Sequence, residues 1–259
     1  MAGDPESCDK VLRKTRAGPA TDCRPVVPAG ESARKCRRPK ALPLCWLAMR
    51  IIAGTFRSRT LVAPPGMSTR PTSDRLRETL FNVLAPRIEN AAFLDLYAGS
   101  GAVGLEAISR GALCVTFVER APAALKILNA NLERLGISSG VRVHAKSVSA
   151  FLKSTRLHDP NLADLKTADP KSANSKPEKF DVVFLDPPYD EAKEYAITLE
   201  LLGRAAQGIL ATGAVVIAEH RRKQSLDEQY GSLKRTRVLE QGDAALSFYA
   251  VDSQPAGEP

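Results

Sequence analysis

The sequence contains no apolar run approaching the roughly 18 residues needed to cross a bilayer. Its N-terminus has no basic stretch followed by an apolar core, so a secretory signal is not expected. It has no C-x-x-C pair, which removes the usual zinc frameworks, and no metal site is expected. Four of the five cysteines, Cys8, Cys23, Cys36 and Cys45, precede residue 49, and only Cys114 lies beyond. Without secretion a disulfide framework is also not expected, so all five read as free thiols, with Cys114 in a strand core. The expectation is a cytoplasmic monomer with no membrane association.

The 259 residues suffice for one large domain with a buried core; 44% are hydrophobic and 25% charged, as in a globular protein. The net charge of +8 is unevenly spread, because residues 1–48 carry ten Lys/Arg against five Asp/Glu. That segment also holds six prolines and no sustained apolar period, the composition of a disordered basic extension. Order is expected to begin at Met49, which also reads as a candidate translation start. Residues 253–259 read as a disordered tail.

Two short strands are expected between Met49 and Val62 around a turn at Gly54–Ser58. A helix follows, capped by Ser73 or Asp74 and ended near Leu84 by Ala85-Pro86. Its apolar stripe is Leu76, Leu80, Phe81 and Leu84; Arg75, Arg77 and Glu78 lie off it. Residues 49–90 thus form a small N-terminal hairpin and helix. From 91 to 252 strands and helices alternate: strands at Phe93–Tyr97, Leu113–Glu119, Val141–Ala145, Phe180–Leu185 and Ala214–Glu219, and helices at Ala102–Arg110, Ala121–Leu135, Val148–Leu157 and Ala192–Ala206. The Pro-, Asp- and Lys-rich residues 158–178 read as a flexible surface insertion. This alternation implies an α/β fold with a mostly parallel sheet covered on both faces. Strands Leu233–Leu239 and Ala245–Val251, joined across Gln241-Gly242-Asp243, add an antiparallel hairpin.

The first strand of that domain runs into Asp95-Leu96-Tyr97-Ala98-Gly99-Ser100-Gly101-Ala102-Val103-Gly104, a G-x-G-x-x-G at a strand–helix turn. Nucleoside-binding folds of several kinds share it. Asp95 would repel a pyrophosphate but suits a cationic ligand such as S-adenosylmethionine. Glu119, ending the second strand, is placed to accept ribose hydroxyls. Valine at Gly99 or Gly101 is expected to block the ligand with the fold intact. These features alone leave a nicotinamide dinucleotide and S-adenosylmethionine both open.

The next motif favours the second. Strand Phe180–Leu185 runs directly into Asp186-Pro187-Pro188-Tyr189, at the carboxyl end of a central strand and beside the cofactor crevice. An exocyclic amine on a base is a poor nucleophile because its lone pair is delocalised into the ring. Asp186 and the Pro187 carbonyl can accept its two N–H hydrogens and turn the lone pair toward a methyl donor. The prolines stiffen the backbone and remove competing donors. Tyr189 offers a face for stacking.

These motifs, together with Arg70–Asn82 (RPTSDRLRETLFN) and the closing Gly242–Tyr249 (GDAALSFY), resemble RsmD-type enzymes, the bacterial 16S ribosomal RNA guanine-N2 methyltransferases. The resemblance spans Met49 to about Val251. It implies a Rossmann-like class I methyltransferase fold with a seven-stranded sheet and S-adenosylmethionine as donor. It also implies 16S rRNA, free or in an assembling small subunit, as partner. The candidate cofactor residues are then Asp95, Tyr97, Gly99, Ser100, Gly101, Gly104, Glu119 and Ser147. Ser147 stands where the family usually has Asp or Asn. Arg57, Arg59, Arg70, Thr72, Arg75 and Arg77 are the candidate RNA contacts, part of a stretch from Arg50 to Arg87 rich in arginine and free of lysine.

Two rivals remain. The Asp-Pro-Pro-Tyr motif also serves adenine-N6 enzymes acting on DNA, although no target-recognition domain is recognisable. An inert RNA-binding or assembly factor on the same fold would have no need of the intact motif. Enzymes of glutamine amides usually begin the motif with Asn, and a dehydrogenase fits neither Asp95 nor this motif.

Overall fold

Short runs rich in Val, Phe and Leu, each bounded by turn residues, form the strands of one sheet in a computed structural model of the chain. The structure describes residues 49–63, 74–156, 179–188 and 191–252. The chain divides into the units Met1–Leu42 and Pro43–Pro259, and all described residues belong to the second. The expected extension 1–48, insertion 158–178 and tail 253–259 lie outside the described residues, as do Arg70, Thr72 and Tyr189.

Five strands are parallel: β1 (Ala92–Leu96), β2 (Cys114–Glu119), β3 (Val141–Ala145), β4 (Phe180–Leu185) and β5 (Leu210–Arg221). Antiparallel β6 (Gln229–Tyr230), β7 (Leu233–Gln241) and β8 (Ala244–Val251) complete an eight-stranded sheet in the order β3-β2-β1-β4-β5-β8-β7-β6. Eight strands replace the expected seven because the two-residue β6 carries no readable periodicity.

Side chains alternate across the sheet. Phe93, Phe117, Phe184 and Ile217 pack toward α1 (Asp74–Ile88), α2 (Ala102–Ser109) and α3 (Pro122–Leu135). Leu94, Leu96, Val118 and Leu185 pack toward α4 (Val148–Arg156) and α5 (Ala192–Ile209). Both faces are therefore apolar and covered, as a parallel sheet requires. Strand order reverses between β1 and β4, which opens a crevice at their carboxyl ends.

Several boundaries differ from expectation. α1 continues through Pro86 to Ile88. Ile88 is buried, and Arg87 Nη1 donates to the Gly213 carbonyl at 3.1 Å, so tertiary contacts hold a last turn that proline disfavours. α5 and β5 both run longer than predicted. Cys114 is half-buried at the start of β2 rather than in the core.

The predicted N-terminal strands reduce to one antiparallel bridge, Arg50 to Thr60, around the expected turn. Buried polar side chains hold this segment in place of a ladder. Glu106 on α2 is fully buried and accepts the Ile52 and Ala53 amides at 2.7 and 3.0 Å. Ser109 Oγ accepts the Phe56 amide at 2.9 Å, and the Ser109 carbonyl accepts that of Thr55 at 2.8 Å. Gly54, at φ +82, sits so close that a Cβ there would lie 1.7 Å from the Ser109 carbonyl oxygen. Only glycine fits this seat.

Candidate functional site

β1 ends one residue before Tyr97, whose φ of +62 starts the turn into the glycine loop. Gly99 and Gly101, at φ +56 and +80, continue it into α2. The three glycines of the motif serve different ends. A Cβ on Gly104 would lie 2.3 Å from the Phe117 ring, so this position lets α2 close on the sheet. A Cβ on Gly101 would meet Leu128 Cδ1 at 2.3 Å and face Leu105 and Phe117 at 3.5 Å. A Cβ on Gly99 would meet nothing nearer than 3.9 Å. The expectation that valine at Gly101 spares the fold is therefore corrected: that position faces the core, and Gly99 alone of these three faces open space.

Asp95 does not point into the crevice. It lies on the face of β1 that meets α2, is 2% exposed, and Oδ2 accepts the Gly104 amide at 2.9 Å. Its carboxylate braces the glycine loop from below; direct contact with a cationic ligand is not its placement here. Burial raises its pKa from 3.8 to about 7, opposed by the Gly104 bond and assisted by the charge of Glu119. Because the folded state holds this proton more tightly than the unfolded chain, Asp95 favours folding most below about pH 4. That contribution fades as pH rises to about 7. Asp95→Asn, which keeps an acceptor for Gly104, should abolish this fall, worth up to about 4 kcal/mol. Urea unfolding of both proteins at pH 5 and pH 8 checks it; parallel pH slopes would remove the assignment.

Glu119 reaches the loop from the carboxyl end of β2. Oε2 accepts the Gly99 amide at 2.9 Å, while Oε1 accepts the Arg120 and Ala121 amides at 2.8 and 2.7 Å. One carboxylate thus holds half-buried Gly99 and the entrance to α3. Asn131, fully buried on α3, donates to the Ser100 carbonyl at 3.0 Å and pairs both ways with the Val62 backbone. It ties the glycine loop to the N-terminal segment and was not anticipated, since a lone Asn on an amphipathic helix carries no such signal. Tyr97 turns away from the loop: its hydroxyl bonds Glu194 and Thr198 on α5 at 2.8 and 2.7 Å. Burial raises its pKa. Ser147 precedes α4, and its Oγ accepts the Ala150 amide at 3.3 Å, a helix cap.

Across the switch point, Leu96 of β1 pairs with Leu185 of β4, so the glycine loop and Asp186 leave adjacent strands at the same level. Asp186 is half-buried and Pro187 buried. The Tyr195 hydroxyl, on α5 behind the motif, donates to the Pro187 carbonyl at 3.4 Å. A carbonyl oxygen has two lone pairs, so one remains for another donor. Arg120 Nη2 pairs with Glu191 Oε1 at 2.6 Å, linking the segment after β2 to the segment after the motif.

The predicted RNA contacts do not form one surface. Arg57 and Arg59 are exposed. The turn at Thr55 and Phe56, before Arg57, is seated on Ser109, at the far end of α2 from the glycine loop. Arg59 instead lies on the limb that returns through Leu61 and Met49 toward Ser100. Arg75, in the first turn of α1, is exposed. Arg77 is the plain correction. It is fully buried, donates to the Arg50 carbonyl at 2.6 Å and to Asp74 at 2.9 Å, and lies 3.9 Å from Glu106. Desolvation lowers its pKa against the pull of these carboxylates. A guanidinium spent on internal partners cannot grip phosphate.

A family model described as "Conserved hypothetical protein 95" matches residues 49–250. The ribosomal RNA small subunit methyltransferase D of Escherichia coli is 32% identical over 206 residues, 80% of this chain and 91% of its own. YlbH of Bacillus subtilis is 33% identical over 201 residues, 78% of this chain and 98% of its own. The solved structure of yhhF from Escherichia coli, 32% identical, covers 80% of this chain and 99% of that one with a TM-score of 0.62. The chain therefore belongs to this family, the RsmD family of methyltransferases that its motifs resemble.

Proposed function

We propose that the chain transfers a methyl group from S-adenosylmethionine to the N2 amine of a guanine in small-subunit ribosomal RNA. One observation carries the reading: the glycine loop and Asp186 leave neighbouring parallel strands at the same level, on either side of the switch point. The residues fit the donor. Gly99 borders open space, and Glu119 stands beside it with a carboxylate suited to ribose hydroxyls. When bound, S-adenosylmethionine supplies an electrophilic methyl on a sulfonium. Asp95 and Glu119 fix the loop that receives it.

Asp186 and the Pro187 carbonyl are the acceptors for the two amine hydrogens. Held there, the nitrogen directs its lone pair out of the ring plane, and the proton it sheds has an acceptor at hand. Tyr195 fixes the Pro187 carbonyl from behind. Tyr189 is the proposed stacking face for the base. The relatives named for ribosomal RNA methylation support rRNA over DNA as substrate.

The test is transfer of labelled methyl to small subunits or rRNA from a strain lacking the family's enzyme, followed by nucleoside analysis. N2-methylguanine in the digest is the expected product. Label in N6-methyladenine, or transfer to duplex DNA alone, would replace this reading.

A further inference from the structure

Among the described residues, not every expected RNA contact can serve the crevice. Arg77 is internal, and Arg57 follows a turn seated on Ser109, at the far end of α2 from the glycine loop. A second basic cluster, not singled out from the sequence, lies closer to the catalytic motif. β5 runs beside β4 with Leu185 paired to Ala218, and its exit continues as Glu219-His220-Arg221-Arg222-Lys223. At about 3.3 Å per residue and 4.8 Å between strands, Arg221 begins only about 8 Å from Asp186. Arg221, Arg222 and Lys223 are all exposed. The edge is firmly shaped, since Arg221 pairs with Ala244 of β8 and the Arg222 amide donates to the Asp243 carbonyl at 2.8 Å.

Several arginines elsewhere have carboxylate partners. Arg110 pairs with Glu106, Arg120 with Glu191, Arg204 with Glu200 and Arg235 with Glu228. Among the described residues no carboxylate forms an ion pair with Arg222 or Lys223. Asp243, which lies across the β5–β8 pairing, is one acid against three cations and leaves a net positive edge. Adjacent like charges repel, so an exposed pair of cations with no ion-pair partner among the described residues favours an external anion. Glu219 and His220, just inside this edge, are buried and add no exposed negative charge.

We propose that Arg221, Arg222 and Lys223 bind the ribose–phosphate backbone beside the target nucleotide. The proposal rests on the reading of the chain as an rRNA methyltransferase and adds the surface that positions the RNA over Asp186. A base drawn into the crevice leaves its own and its neighbours' phosphates at the rim, within reach of long cationic side chains starting about 8 Å from the reacting site.

Direct binding of labelled small-subunit rRNA to the full chain, measured over a range of salt concentrations, tests it without requiring catalysis. Arg222→Glu/Lys223→Glu should weaken binding about tenfold or more near 0.1 M salt. It should also flatten the plot of log affinity against log salt by about 1–2, as for lost phosphate contacts. The melting temperature and S-adenosylmethionine affinity should match wild type, and Arg222→Lys/Lys223→Arg should bind as wild type does. If wild type binds and methylates rRNA while the charge-reversed variant binds with the same affinity and salt slope, the surface is overturned and the functional reading stands. If wild type binds no rRNA, both fall together.

Discussion

Asp186→Ala is expected to lower kcat by about 10²-fold or more while leaving the affinity for S-adenosylmethionine within a few-fold of wild type. Asp186 leaves β4 one residue after Leu185, which pairs with Leu96 at the edge of the glycine loop. Its backbone is therefore anchored by a buried strand, beside the glycine loop. An acceptor fixed where positive charge develops on the amine strengthens its interaction as the nitrogen pyramidalises. Its loss therefore falls on the transition state more than on binding. Asp186→Asn keeps an amide oxygen as acceptor and should retain more activity than Asp186→Ala. Tyr195→Phe, which removes the donor to the Pro187 carbonyl, should be milder than either. Inosine in place of the target guanine lacks the N2 amine and should accept no methyl. Rapid-quench single-turnover kinetics separates these effects from product release. Full activity in Asp186→Ala, or methyl on inosine, would show that the nitrogen is activated by other means.

Central strands such as Phe180–Leu185 were legible because they are apolar runs buried on both faces. Val141–Ala145 and Phe180–Leu185 occur at the predicted residues, since turn residues bound each run and no helix period competes. The placement of Asp186 beside the glycine loop followed from the parallel alternation. What stayed hidden depends on contacts between segments far apart in the chain. Arg77 lies off the apolar stripe of α1 and reads as solvated. It is buried because Glu106, 29 residues later on α2, and Asp74 meet it there. The turn around Gly54 was expected, but its seat on Ser109 was not, because nothing in a serine near a helix end announces which backbone it will bind. Asp95 was assigned to the ligand by its position at a strand end. Its side chain falls on the α2 face because strand residues alternate, and Phe93, two residues earlier, already faces that side. A reading by alternation could have reached this result. The basic exit of β5 was missed because the longer β5 was not foreseen, so residues 221–223 were not placed at the crevice edge.

Gly99→Val and Gly101→Val are expected to fail in different ways, and the contrast tests the cofactor site. Both positions have positive φ, so both substitutions add backbone strain of about 1–2 kcal/mol. At Gly101 that strain joins a collision: the new Cβ would overlap Leu128 Cδ1, which is fully buried, in a pocket already closed by Leu105 and Phe117. Overpacking a core of this kind adds about 1–3 kcal/mol, so Gly101→Val should melt well below wild type and lose cofactor affinity as a consequence. At Gly99 the new atoms enter open space bounded by the Tyr97 carbonyl at 3.9 Å. Its amide donates to Glu119 Oε2 at 2.9 Å, which keeps the loop close to the carboxylate proposed for the ribose. Gly99→Val should therefore lose only the modest stability that its φ demands. Its isopropyl group occupies the volume proposed for S-adenosylmethionine, so calorimetry should detect no binding up to about a hundredfold above the wild-type Kd. Glu119→Ala should be intermediate, weakening the cofactor by about 1–3 kcal/mol for a lost charged hydrogen bond. Wild-type affinity in a folded Gly99→Val protein would place the cofactor elsewhere. Wild-type stability in Gly101→Val would mean that Leu128 yields more readily than its packing implies.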